Sequence, residues 1–85
     1  MIKVVTREEV MENIKNRIIE NLNKSLMLNG QAGYTIDSCD CADRDIAIKL
    51  GREIARLYRE EKYNVDTYVY STSSRSGYIN ITVNL

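Results

Sequence analysis

The final segment of the chain, Tyr78–Leu85, alternates strictly between aliphatic and polar side chains, and this pattern constrains the fold more than any other feature. Successive side chains of a β-strand point to opposite faces of the sheet. The segment therefore predicts a strand with one buried face and one face toward solvent. The aliphatic row consists of Ile79, Ile81, Val83 and Leu85, and the opposite row consists of Tyr78, Asn80, Thr82 and Asn84.

Three other segments have the composition of strands. Val65–Tyr70 precedes the final segment, and the Ser-rich stretch 71–77 between them predicts a long hairpin loop. Ile2–Val5 is a short β-prone run at the start of the chain, and Tyr34–Ile36 is another after Gly33. The sequence thus predicts four strands.

Two amphipathic helices separate these strands. The first is predicted over residues 7–28, with Thr6 and Glu9 as a capping box and Asn29-Gly30 as the stop. The second is predicted to begin near Asp40 and to fade near residues 63–64. The apolar stripe of the first helix comprises Val10, Met11, Ile14, Ile18, Leu22 and Leu26, and that of the second comprises Ile46, Ala47, Leu50, Ile54, Leu57 and Tyr58.

The element order β-α-β-α-β-β predicts a single α+β domain over residues 1–85. Two helices covering one face of a small mixed sheet is the simplest arrangement that buries every apolar stripe. A chain of 85 residues has room for one such core and no second domain.

The charge balance and the missing residue types exclude several functions. Twelve Lys and Arg residues cancel twelve Asp and Glu residues, and the chain has no His. It therefore has no histidine general base or imidazole ligand, and its bulk charge does not favour nucleic acid. We expect a non-enzymatic protein without a cofactor.

No run reaches the length of a membrane span, and the first residues lack a signal-peptide pattern, so we expect a cytoplasmic location.

The leading candidate site is the polar face of the predicted hairpin. Tyrosine combines a large contact area with a hydrogen-bonding tip and little rotamer entropy, which suits protein recognition. Tyrosine is also simply favoured in strands, so a purely structural role is the alternative. The candidate partner-binding residues are Tyr68, Tyr70, Tyr78, Asn80 and Thr82.

Two other surfaces could bind ligands of a different class. The loop residues Ser73, Ser74, Arg75 and Ser76 could hold an anion. A basic stripe on the second helix could contact phosphates or an acidic partner, although the pairs Lys49–Glu53 and Arg56–Glu60 predict a self-neutralised face. The stripe consists of Lys49, Arg52, Arg56 and Arg59, and Ile48 and Ala55 flank it as a modest contact surface.

The two cysteines lie in an acidic segment. Cys39 and Cys41 are one residue apart and offer two sulfurs where a closed zinc site needs four ligands. Acids at a helix start together with small thiols explain the segment without a metal. Metal binding or thiol reactivity at Cys39 and Cys41 is the less favoured interpretation.

The second half of the chain resembles small uncharacterised phage-encoded α+β proteins. The matching residues are Lys62-Tyr63-Asn64-Val65, at the step from helix to hairpin, and Tyr78-Ile79-Asn80-Ile81-Thr82-Val83. The aromatic ending of those proteins is replaced here by Leu85. The resemblance implies a phage origin and a host or virion protein as partner, in the host cytoplasm, and it carries over no catalytic residue.

The sequence therefore predicts a binding protein that acts through its outer sheet face and self-associates, as a homodimer for example. One alternative is an oligomer that sequesters a small molecule or nucleotide. Another is a nucleic-acid accessory protein that uses the basic stripe, which the neutral net charge disfavours.

Overall fold

The computed structural model describes residues 2–85. It confirms an α+β fold with two helices and a three-stranded antiparallel sheet. The elements are α1 (Arg7–Asn29), β1 (Gln31–Ile36), α2 (Arg44–Glu60), β2 (Asn64–Val69) and β3 (Ile79–Asn84). The order along the chain is thus α-β-α-β-β.

Helix α1 begins and ends where its capping residues predict. The Thr6 side chain accepts a hydrogen bond from the Glu9 amide at 3.1 Å, which satisfies one of the free donors of the first turn. Gly30 adopts a left-handed conformation with φ of 78°, and its amide donates to the Leu26 carbonyl. Helix bounds are well predicted here because both caps are local signals.

Helix α2 begins later than predicted, because the residues before it form a turn. The amides of Asp40 and Cys41 both donate to the Asp37 carbonyl, and Asp43 caps the helix by accepting from the Ile46 amide. The helix ends at Glu60, before the expected residues 63–64, and Lys62 follows it with a φ of 71°. A left-handed residue at this position reverses the chain into β2.

The prediction of a strand at Ile2–Val5 is wrong, and so is the prediction of a mixed sheet. Residues 2–6 form neither helix nor strand, because Thr6 already caps α1. A strand that ended at Val5 would leave only Thr6 to connect it to α1, whereas the loop between a strand and a following helix usually has about two to six residues. Without that strand no parallel pair forms, and β3 lies between β1 and β2, antiparallel to both.

The alternation in β3 predicts its environment correctly. Ile79, Ile81 and Val83 are fully buried, and they join the buried residues of both helices in one core cluster. Gly51 of α2 allows close packing there, since a Cβ at this position would lie 2.8 Å from the Ile79 side chain. Leu85 lies outside the core and is exposed.

Ile48 and Ala55 do not form the contact surface expected beside the basic stripe. Both are buried in the core cluster, which widens the apolar face of α2 beyond the predicted stripe. The apolar face of α1 is narrower than predicted, because Val10 is exposed while Ile14, Ile18 and Leu22 are buried.

Candidate protein-binding face of the sheet

We call the polar face of the sheet the outer face. It consists of three rows of residues, or rungs, each of which crosses all three strands. Residues paired across antiparallel strands share a face, and β3 supplies the middle residue of each rung. The rungs are Gln31–Asn84–Asn64, Gly33–Thr82–Asp66 and Thr35–Asn80–Tyr68. All nine positions are exposed or half-buried, so none belongs to the core.

An aromatic pair stands at one end of this face. Tyr68 is 62% exposed, and its ring packs edge-on against Tyr70 with the ring centroids 5.0 Å apart. Edge-to-face packing is a preferred arrangement of aromatic rings and restricts their motion. The pair is therefore an ordered, solvent-facing aromatic surface.

Polar side chains beside the pair form hydrogen bonds to the two flanking strands. The Asn80 amide donates to the Thr35 hydroxyl at 2.8 Å, and the Thr82 hydroxyl donates to the Asp66 carbonyl at 3.4 Å. These bonds tie Asn80 and Thr82, both predicted site residues, to the flanking strands. The result is an ordered polar surface next to the tyrosines.

Tyr78, the third predicted tyrosine, has a different environment. Its backbone continues the hairpin ladder, since the Tyr70 amide donates to the Tyr78 carbonyl at 3.0 Å. The side chain is half-buried and packs against the core cluster. The exposed aromatic surface is thus formed mainly by Tyr68 and Tyr70.

Sequence reasoning missed the contribution of β1 to the outer face. Gln31, Gly33 and Thr35 lie on this face, and the predicted strand began only at Tyr34. The signal was present in the sequence, because Ala32, Tyr34 and Ile36 alternate with Gln31, Gly33 and Thr35. The weak hydrophobicity of this segment concealed the pattern.

The loop between β2 and β3 satisfies part of its own backbone. The Ser74 amide donates to the Ser71 carbonyl, and the Ser76 amide donates to the Ser74 hydroxyl. Ser71 and Ser73 join their hydroxyls at 3.1 Å, and Arg75 is exposed. These bonds organise the loop internally, and they leave the exposed Arg75 guanidinium as its charged donor group.

The basic stripe of α2 is divided by its contacts. Arg56 pairs with Glu60 at 2.8 Å, as predicted, while Arg59 donates to the Val65 carbonyl of β2 at 3.2 Å. Lys49 and Arg52 are exposed and line a shallow groove together with Arg44, whose guanidinium donates to the Tyr70 carbonyl. The cations therefore do not form one continuous free surface.

The predicted Lys49–Glu53 pair is wrong. Glu53 instead accepts from Lys15 of α1 at 3.1 Å, and Lys15 also contacts Glu12 at 3.0 Å. The Glu12 and Glu53 side chains raise the pKa of Lys15, in that order of importance. This contact links the two helices.

The cysteines lie away from the outer face. Cys39 is exposed, and Cys41 is buried with its thiol 3.4 Å from the Asp43 carbonyl. Among residues 2–85, no group of three or more His, Cys, Asp or Glu side chains is arranged to hold a metal ion.

Two tyrosines with strongly raised pKa values lie on the core side. Burial, with a hydrogen bond to Asp40 as the next cause, raises the pKa of Tyr34 to about 12. Burial also raises the pKa of Tyr58 to about 12, and the Tyr58 hydroxyl donates to Asn23 at 2.6 Å. Both phenols are therefore structural hydrogen-bond donors.

Comparisons with protein-family models, curated proteins and solved structures find no match for this chain. Within residues 2–85, neither helix combines the length and apolar character needed to cross a membrane.

Proposed function

We propose that the protein is a non-enzymatic binding module that docks a protein partner on its outer face. In this proposal the two helices form one layer over the opposite side of the sheet, so the outer face stays free. The observation that carries the proposal is the aromatic pair, in which Tyr68 is 62% exposed while Tyr70 holds its ring in place.

Physical chemistry favours this surface for binding over the other candidates. Burying an exposed phenol ring contributes much of the free energy at protein interfaces, where Tyr is enriched among energetically dominant residues. An ordered ring loses little conformational entropy on binding. The hydrogen-bonded Asn80 and Thr82 would form the polar rim around the rings.

The mechanism would be steric occupation of a partner's surface. The partner is a host or virion protein, or a second copy of this chain, and the module has no reaction to catalyse. A phage origin and a location in the host cytoplasm are part of this proposal, and both rest on the sequence resemblance.

Affinity capture with a two-residue variant tests the proposal. Three baits are used in parallel: the wild-type protein, Tyr68→Ser/Tyr70→Ser and Met27→Ser. The captured proteins are quantified by mass spectrometry. Met27 is a matched control because it is 88% exposed but lies on α1. Circular dichroism checks that each variant is folded.

We expect a partner that wild type and Met27→Ser retain in stoichiometric amount and that the double variant loses. Removing two dominant aromatic contacts lowers affinity by on the order of 2–4 kcal/mol, which is about 30-fold or more. A folded double variant that retains the same partner would show that the outer face is not the docking surface.

A further inference from the structure

The segment before α1 has the character of a strand but pairs with no strand in the structure. The segment Ile2–Val5 is β-prone, although its polar and apolar side chains do not alternate strictly. It forms neither a helix nor a strand. Ile2 is 96% and Val4 is 85% exposed. We call Ile2–Val5 the arm. Exposed aliphatic side chains at consecutive or alternating positions of an unpaired segment favour pairing with another chain.

The arm is too closely tethered to join its own sheet. Thr6 caps α1 directly after Val5, so one residue would have to carry the chain from the sheet to the helix packed against it. Val5 instead lies beside α1 residues Val10 and Asn13 and beside Asp40, which follows β1. The arm therefore extends from the N-terminal end of α1 and is available to a neighbouring molecule.

The outer edge of β1 can accept such a segment. The Leu85 amide donates to the Gly30 carbonyl, so even-numbered residues of β1 face β3 and odd-numbered ones face away from it. In this register the backbone amides of Gly33 and Thr35 face away from β3, and the Gln31 amide, which faces the same way, donates to the Asn29 side chain. The Gly33 and Thr35 amides can therefore donate to an added strand.

A shallow, uncharged groove lies beside this edge, and its lining is mainly polar. It has a volume of about 450 Å³, and none of its lining residues is charged. Leu28 and Ala32 supply apolar surface on the helix side, and Thr82 lines it from β3. The groove passes Gly33, whose missing side chain leaves the edge open.

The other edge of the sheet is unsuited to the arm. Arg59 already donates to the Val65 carbonyl of β2, and Arg44 donates to the Tyr70 carbonyl just beyond it. The groove there is lined by the cations Arg44, Lys49 and Arg52, which outnumber its one carboxylate, Asp45. Lys3 of the arm would meet these cations, and like charges disfavour the contact.

We propose that the arm of one copy adds as a fourth strand to the free edge of β1 in a second copy, and that the exchange is reciprocal. The same chain carries both an unpaired donor segment and an unpaired acceptor edge, which is why the occupant is a second copy. Reciprocal exchange uses the same two surfaces in each copy, so the assembly closes as a two-fold dimer. This inference goes beyond the outer face and does not depend on it.

The dimensions agree with this pairing. Four residues of arm span about 13 Å and the six residues of β1 span about 20 Å, at roughly 3.3 Å per residue. The arm can therefore cover the part of the edge that contains Gly33 and Thr35. Pairing would bury Ile2 and Val4, the most exposed aliphatic side chains of the arm.

Light scattering after gel filtration, over a concentration series, measures the exchange. Samples are kept reduced, because the exposed Cys39 could form an unrelated disulfide-linked dimer. The arm variant is Val4→Pro, which removes the backbone amide that would donate to the added strand pair. Val4 is 85% exposed, so the substitution should not disturb the core. The matched control, Ile2→Val/Val4→Ile, keeps the β-propensity and the apolar area. The edge variant is Gly33→Pro, at an amide that faces away from β3.

We expect wild type and the control to dimerise, and both proline variants to weaken dimerisation by about tenfold or more. Hydrogen exchange on the wild-type protein gives a second readout that does not depend on a variant folding. The Gly33, Thr35 and Val4 amides should gain protection as the protein concentration rises and the dimer forms.

Other results overturn the inference in distinguishable ways. A wild type that stays monomeric across the series contradicts the exchange directly. Dimerisation that Gly33→Pro weakens but Val4→Pro leaves unchanged indicates direct pairing of two β1 edges. A dimer lost only in Tyr68→Ser/Tyr70→Ser is held by the outer face, which supports the proposed function while refuting arm exchange.

Discussion

The two edge strands of the sheet, β1 and β2, differ in how their outer backbone groups are covered. Arg59 of α2 donates to the Val65 carbonyl in β2, and Arg44 donates to the Tyr70 carbonyl just after the strand. On β1, the helix end supplies only the Asn29 side chain, at the first residue of the strand. No residue of β1 is charged, whereas β2 contains Asp66.

In the proposed arm exchange, this difference identifies the β1 edge as the acceptor. Exposed strand edges are prone to pairing with other chains, and charged side chains near an edge prevent it. Arg59 and Arg44 give the β2 edge part of that protection, whereas no residue of β1 is charged. An unprotected strand edge beside a groove is the feature expected of an edge that binds an added strand.

The largest effect should come from changing how β1 is attached to the hairpin. Gly77 has a φ of 139°, and a Cβ there would lie 2.5 Å from the Thr35 side chain and 3.2 Å from the Ile36 carbonyl. Gly77→Ala should therefore lower the free energy of unfolding by about 2–4 kcal/mol. Urea denaturation measures this loss.

Gly33→Ala is the matched control on the same strand. A Cβ at Gly33 would meet its nearest neighbour, the Ile81 carbonyl, at 3.8 Å, which is an ordinary contact. This variant should change stability by no more than about 1 kcal/mol, in either direction. Equal losses in the two variants would contradict the special role of Gly77.

An intermediate effect should follow from uncovering the β2 edge. Arg44→Ala/Arg59→Ala removes both guanidinium groups from the strand, and we expect a loss of about 1–2 kcal/mol in unfolding free energy. The exposed edge should also increase self-association, measured by light scattering. Lys49→Ala/Arg52→Ala removes the same charge from the same helix without breaking a bond to β2, so it should change neither property appreciably. Increased association in both double variants would indicate a net-charge effect.

The smallest effect concerns the hydrogen bond at the end of β1. Tyr34 donates to Asp40 at 2.6 Å, so Tyr34→Phe should cost about 1 kcal/mol near neutral pH. Burial and Asp40 raise the pKa of Tyr34 to about 12, so the folded state favours the protonated phenol. That stabilisation is fully present below pH 10, the ordinary Tyr value, and is lost as the pH rises through about 12.

Denaturation midpoints measured between pH 9 and about 12 test this dependence. Wild type should lose stability over the interval, and Tyr34→Phe should lose less. Part of the loss should remain, because burial also raises the pKa of Tyr58 to about 12. An identical alkaline loss in wild type and Tyr34→Phe would rule out the contribution of Tyr34.

The helices and the hairpin were predictable because their signals are local. The Thr6 cap and the Gly30 stop lie within one turn of the helix that they bound. The alternation of Ile79, Ile81 and Val83 requires no knowledge of the neighbouring strand. The aromatic pair was also predictable in part, since Tyr68 and Tyr70 are two residues apart on one strand.

The errors occurred where a distant contact or the length of a connection decides the structure. Ile2–Val5 has strand propensity, but the single residue before α1 leaves no loop to bring it to the sheet. Glu53 has a suitable partner on its own helix in Lys49, but Lys15 of α1 lies closer. The start of α2 was misplaced because the Asp37 turn competes with the helix for the same amides.

Local sequence patterns were enough to predict the α+β class, the caps of α1 and the division of β3 into a buried and a polar face. These properties follow from periods of 2 and about 3.6 residues, which are fixed by backbone geometry alone. Tertiary packing alone places β3 at the centre of the sheet, brings two arginines to one edge and leaves the other edge open. Strand order and edge exposure depend on how separate elements pack, and no local period contains that information.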